Sequence, residues 1–321
     1  MYNKRIHITP DDVLADIDEH LDGSDPRSRC KYFIEPYGVH SINEVCEANY
    51  YAGNRVMYHE HRSGFETFLV DGGAIEILYL NRKAVARNGD IVHFSSYMPH
   101  SIHTLEDNSI WRAFHQGLWF VAQKIEENNL RDRHWDLALS SDFRRVNNER
   151  RDSIRYDYEL PECIEVPANE LQCLRQYDFA LADYCFDGIS LKLKVGRWET
   201  NGAKEVWQLR LKSGYTLSWN EQHPFSHLYD VFSGSVRVTL EGMEPFTAHA
   251  RDLLHIPRLL AGKIEALEDV VLLDAGCQGY LTRFMDAANS YKVKAPEKLK
   301  DSAFICELMA KYDYHVLFET L

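Results

Sequence analysis

The feature that most constrains this chain is an internal repeat. The run "NEVCEANYYAG", ending at Gly53, aligns with "KEVWQLRLKSG", ending at Gly214. The same offset places Gly73 on Gly234, and the run "AIEILYL" on "SVRVTLE". Lengthening the offset by a single position aligns "GDIVHFSSYMPHSIHTLED" with "RDLLHIPRLLAGKIEALED" and "RAFHQG" with "DAGCQG", so that Asp90 meets Asp252 and His93 meets His255. Register kept from Val45 through to Gly117 means two copies of one unit.

Each copy reads as short β-rich runs broken by Gly, Asn and Asp. In the first they are "AIEILYL", "DIVHF" and "SIWRAFH"; in the second, "ISLKLKVG", "EVWQLRLKSG", "LYDVFSGSVRVTL" and "DVVLLDAG". The flanks differ. "ITPDDVLADIDEHLDG" reads as a helix, with Thr9 as N-cap, Pro10 in the first helical position and acidic residues in the first turn. "FVAQKIEENNLRDRHWDLAL" reads as a helix leading into a polar connection, and "APEKLKDSAFICELMAKYDY" as a closing helix. The expected division is an N-terminal helical segment 1–29, a first β domain 30–119, a helical linker 120–167, a second β domain 168–284 and a C-terminal helical segment 285–321.

Charge narrows the partners. The 36 basic and 49 acidic residues give a formal net charge of −13, which disfavours nucleic acid and anionic membrane surfaces. No apolar run approaches the roughly 18 residues of a membrane span. "MYNKRIHITPDD" has no signal-peptide h-region. The seven cysteines are scattered without a CxxC pair, which reads as reduced thiols in a cytoplasmic protein.

The chemistry concentrates in "GNRVMYHEHRSGFETFLVDGG". Strand residues two apart share a face, so His59 and His61 point together. A reversal at Gly64 lets Glu66, on the neighbouring antiparallel strand, approach them, and His100 of "YMPHSIH" is a fourth candidate. Three imidazoles and a carboxylate converging inside a barrel suit one divalent transition metal: Fe, Mn, Ni, Co or Zn.

These residues carry a family resemblance. Gly53, then His59-x-His61, Glu66 and Gly73 resemble the first signature of the cupin superfamily; Gly89-Asp90 followed by His100 resembles the second, with Ser95 where the family usually has proline. With the repeat, the chain resembles a bicupin over about residues 45–117 and 206–279. The implied fold is all-β: two cupin barrels (double-stranded β-helices, or jelly rolls) with peripheral helices, each barrel enclosing a pocket. The implied metal ligands are His59, His61, Glu66 and His100, with Glu66 either a ligand or a base.

The second copy departs from the pattern. Asn220, Gln222, His227 and Gly262 stand where His59, His61, Glu66 and His100 stand in the first, so its metal site is expected to be lost. Arg112, if it points inward, could hold a substrate carboxylate as a catalytic residue; outward, it is a surface arginine. Met57, Phe68, Ile102 and Phe114 have the parity of barrel lining, Tyr58 and His103 that of the outside, and Tyr97 and Met98 sit at the mouth.

The resemblance implies a metal-dependent enzyme on a small polar or carboxylate substrate. An Fe(II) dioxygenase is the first expectation. A redox-neutral lyase or isomerase using Zn, Mn or Ni is the alternative, and a non-catalytic small-molecule binding protein the third. A homodimer is expected through unpaired sheet edges.

Overall fold

The computed structural model describes residues 6–13, 15–18, 27–34, 44–61, 64–115, 154–155, 160–220, 224–312 and 314–318. The chain divides into two compact units: Asp12–Phe179, and Met1–Asp11 combined with Ala180–Leu321. Each is a pair of sheets closed around an apolar interior.

In the first unit a seven-stranded sheet contains Ile91–Phe94, Glu66–Gly72, Ser109–His115 and Glu44–Tyr50 as neighbours, and a six-stranded sheet contains Arg55–His61, His100–Thr104, Ala74–Tyr79 and Arg82–Arg87. Period-two alternation sends one set of side chains inward. Phe68, Val70, Ile75, Ile77, Phe94, Ile102 and Trp111 form one buried cluster. The second unit repeats the plan with a seven-stranded and a five-stranded sheet. Helices Leu281–Lys294 and Ser302–Lys311 contribute Phe284, Met285, Ile305 and Leu308 to its core.

The glycine that starts the "AIEILYL" strand is required in both copies, because each has a positive φ that side chains resist. Gly73 has φ +68°, and a Cβ there would lie 2.4 Å from Ser109 Oγ. Gly234 has φ +81°, and a Cβ there would lie 2.7 Å from the Asp269 carbonyl oxygen.

A shared edge explains the retained aspartates. In the first unit the short strand Leu174–Arg175 pairs with Ile91–Phe94, Cys173 O accepts from His93 N at 2.9 Å, and Asp90 accepts from Arg87 N and Tyr177 N, each at 2.9 Å. In the second unit His7–Ile8 takes that place on Leu253–Ile256, and Ile6 O accepts from His255 N at 2.9 Å. Asp252 accepts from His249 N at 2.9 Å and lies 2.7 Å from His7 Nε2. Asp252→Ala removes both contacts from a nearly buried carboxylate, and a stability loss of about 1–3 kcal/mol in urea titration is expected.

Among the described residues the N-terminal segment does not form the expected helix. His7–Ile8 and Ala15–Asp18 are strands, each added to a sheet edge, and Pro10 sits in a turn between them. Edge pairing outweighs the local helix signals, because a short helix has little stability without a packed face. The first C-terminal helix starts at Leu281, ahead of the segment expected from 285. The helix expected over 120–139 lies outside the described residues, and Ile164–Glu165, near the end of the expected helical linker 120–167, is a strand.

Strand pairing corrects the repeat alignment at one place. Trp207 pairs with Asp274 as Cys46 pairs with Ala113, so Asp274 takes the interior place of Ala113, not the place of Arg112. A bulge between Asp274 and Cys277 restores the longer offset. Cys277 is then opposite Glu205 as His115 is opposite Glu44.

Candidate metal centre

His59 and His61 end the strand Arg55–His61, and His100 opens the strand beside it, paired directly with His59. Glu66 opens a strand of the facing sheet, so it reaches the histidines across the barrel and not from a hydrogen-bonded neighbour. One ligand atom from each of the four residues lies within 4.8 Å of the others, and all four side chains are buried. His61 Nε2 and His100 Nε2 are 3.0 and 3.3 Å from Glu66 Oε2.

A bulge aims this strand. His59 pairs with His100 but Val56 with Ile102, so one extra residue stands between them. Met57 is therefore 54% exposed, not lining, while Val56 packs on the core. The bulged chain also turns the Met57 carbonyl to accept from His59 Nδ1 at 2.6 Å, and Met98 O accepts from His100 Nδ1 at 2.8 Å. Both rings are thereby fixed with Nε2 as the remaining nitrogen.

Electrostatics favour a cation here. His59 is held well below its ordinary 6.5, first by burial and then by the neighbouring His100 and His61, against the opposing effect of Glu66. Burial likewise lowers His100, against its contact with Glu66. A neutral imidazole that donates from one ring nitrogen has a lone pair on the other. His100 donates from Nδ1, so its Nε2 lone pair points at the Glu66 carboxylate, 3.3 Å away. Two acceptors so close are stable with a cation between them, and ligand bonds of about 2.1 Å at right angles give about this separation. The four residues fit one divalent metal.

Phe94 stacks on His100 at 3.6 Å between centroids, and Tyr79 stacks on Phe94 at 6.0 Å. Sequence reasoning missed this wall, although the alternation of "DIVHF" points Phe94 inward. The two carbonyl acceptors have no sequence signal, because any residue supplies them.

The other candidates separate by sheet face. Phe68 and Ile102 line the barrel as expected. Ala113 pairs with Phe68 and shares its inner face, which puts Arg112 and Phe114 on the opposite face. Arg112 is 1% exposed, and its Nη2 donates to Glu47 Oε2 at 2.8 Å. It is neither a pocket residue nor a surface arginine, but half of a buried ion pair. Tyr58 donates its hydroxyl to Leu80 O, and His103 lies 3.4 Å from Glu76, both away from the centre. Tyr97 is exposed at positive φ, with its backbone N–H on His61 O at 2.6 Å; Met98 packs on the core.

The second barrel has no equivalent among the described residues. Asn220 is exposed, and Gln222 lies outside the described residues. His227 is buried 3.5 Å from Asp274 Oδ2. At Gly262 a Cβ would meet Leu240 Cδ2 at 2.5 Å and Thr239 O at 2.7 Å, so no side chain fits where His100 stands in the first barrel.

No family model and no curated protein matches the chain. Solved structures do. An oxalate decarboxylase from Lactobacillus farciminis in complex with formate aligns with a TM-score of 0.52 at 12% identity, covering 84% of this chain and 85% of that one. The Bacillus subtilis oxalate decarboxylase at pH 4.6 aligns with a TM-score of 0.51 at 14% identity, covering 84% and 75%. A further B. subtilis structure, described by its Mn(II) centres, gives 0.51, 14%, 84% and 76%. The fold is that of a bicupin.

The depressed histidines set a pH dependence for the metal-free form. An imidazole lowered by folding binds its proton later than in the unfolded chain. Stability is therefore full above about 6.5, the unfolded value, and falls as pH drops below it toward the lowered folded values. Metal-free protein is expected to lose melting temperature between pH 7 and 5, with a smaller loss in His59→Gln. A flat profile in the wild type would contradict the assigned neutral state.

Proposed function

We propose that this bicupin is a metal-dependent, redox-neutral lyase acting on a small carboxylic acid in its first barrel, with Mn(II) as its metal and one ion per chain. The buried group His59, His61, Glu66 and His100 carries the reading. The likeness to oxalate decarboxylases, one of them described by its Mn(II) centres, supports a lyase over the Fe(II) dioxygenase expected from the sequence. Iron, cobalt, nickel and zinc suit the same donor set.

His59, His61, Glu66 and His100 would hold the metal, which when bound would supply Lewis acidity toward a carboxylic acid. The chain does the rest. The Met57 and Met98 carbonyls keep the His59 and His100 rings oriented, as outer-shell acceptors do for metal-bound imidazoles. Phe94, Ile102 and Phe68 make one wall of the site apolar, which excludes water and strengthens the electrostatic interactions beside it. Glu66 adds the negative charge that three neutral imidazoles lack. We further propose a cytoplasmic homodimer. Among the described residues no helix is long and apolar enough to cross a membrane.

Protein purified without added metal should be assayed for metal by elemental analysis. It should then be loaded with Mn(II) or Fe(II) and given a panel of small carboxylic acids, with carbon dioxide release and net oxygen uptake followed together. About one ion per chain, with carbon dioxide released and no net oxygen consumed, is the expected result. Stoichiometric oxygen uptake would return the dioxygenase. Metal binding without turnover on any acid would leave a binding protein.

A further inference from the structure

The second barrel has lost the metal ligands, yet it carries a cleft of about 470 Å³ on its large sheet. That volume lies within the range of small-molecule sites, about 300–1,000 Å³. Cross-strand pairing builds it. Ser190 pairs with Arg210, Arg210 with Val271, and Val271 with Ser233, a row across four strands. Leu191, Leu209 and Leu272, next to Ser190, Arg210 and Val271, belong to the barrel core, so these three face away from the interior; the bulge between Val231, also a core residue, and Ser233 brings Ser233 onto the same side. The polar row of the cleft thus lies on the outer face of the sheet, while Phe186, Ile189, Leu211 and Val270 of the core cluster close its apolar side.

The lining is amphipathic. Phe186 and Val270, both nearly buried, add apolar lining; Ser190 is the cross-strand neighbour of Arg210, and Ser233 lies on the far side of Val271. Arg210 is half-buried, and its Nη2 lies 3.5 Å from Gln208 Oε1 on its own strand. At the rim Asp269 is engaged by Lys212 Nζ at 2.8 Å and Ser213 N at 3.1 Å. Two cations and one carboxylate thus line the cleft, in a chain whose net charge is −13. Lys212 and Asp269 offset each other, so Arg210 gives the concave site its positive sign, which favours anions, and a guanidinium beside the Ser190 hydroxyl suits a carboxylate.

We propose that this cleft binds a small organic acid, its carboxylate on Arg210 beside Ser190 and its apolar body reaching across Val271 toward Ser233, against Phe186 and Val270. The second barrel would then be a ligand-binding module independent of the metal centre.

The test is calorimetric titration of the metal-free full-length protein with benzoate, and separately with inorganic phosphate. Saturable benzoate binding is expected, weakened at least tenfold in Arg210→Ala and in Ser233→Asp, which places a negative charge in the row. His59→Ala should bind benzoate as the wild type does, which separates this cleft from the first-barrel site. Should Arg210→Ala fail to fold, Ser233→Asp carries the comparison. Absence of saturable benzoate binding, equal affinity in the cleft variants, or loss in His59→Ala would each overturn the proposal. Binding of phosphate but not benzoate would overturn the apolar part of it.

Discussion

Replacing His100 by alanine is expected to reduce bound metal to under a tenth of the wild-type content at stoichiometric Mn(II). The residue is fully buried, lies directly opposite His59 and supplies the nitrogen facing Glu66. Its loss removes one of four donors, leaves a cavity too apolar to substitute water well, and deprives the Glu66 carboxylate of a neighbour. Metal that binds the folded state stabilises it by about 2.7 kcal/mol at a free concentration of 100 Kd. Wild-type protein should therefore melt several degrees higher with Mn(II), and His100→Ala should not respond. Asn220→Ala, at the corresponding part of the second barrel, should keep both metal content and response. Equal losses from the two variants would end the asymmetric reading. Gly262→His is no route to a second centre, because its Cβ would collide with Leu240 and the Thr239 carbonyl.

The second large effect concerns stability, not chemistry. Arg112 and Glu47 are 1% and 2% exposed and joined at 2.8 Å. Removing one partner of such a pair strands a buried charge and costs about 3–5 kcal/mol. Arg112→Ala should lower the unfolding free energy by that amount, while the fraction that folds binds metal normally. The double variant Arg112→Met with Glu47→Leu should recover most of the loss, since an apolar pair of similar volume avoids the stranded charge. An Arg112→Ala protein of wild-type stability but without turnover would instead put the guanidinium to work on substrate. The two outcomes are distinguished by urea titration beside the activity assay.

Much of the site was legible in the sequence. The metal group was readable because strand parity is local: two residues apart is one face, whatever the rest of the chain does. The same rule failed at Met57, where one bulged residue reversed the parity of everything before it. Arg112 was ambiguous for a different reason. Its strand is buried on both faces, so alternation of polar and apolar residues no longer reports which side is the pocket, and Glu47 is far away along the chain. The N-terminal segment carried the signals of a helix, yet its strands are held by edges contributed from elsewhere in the chain.

The sequence by itself determined the duplicated β architecture, the four residues that come together as a group able to hold a metal, and the replacement of three of their counterparts by Asn220, Gln222 and Gly262, because repeat register and strand periodicity are properties of neighbours in the chain. The tertiary structure decided the rest: that Glu66 comes from the facing sheet, that backbone carbonyls orient His59 and His100, that Arg112 is neutralised outside the pocket, and that His7–Ile8 completes a barrel built from residues beyond 180. Each of these depends on which strands pair and at what register, which is set by the burial of whole faces against one another.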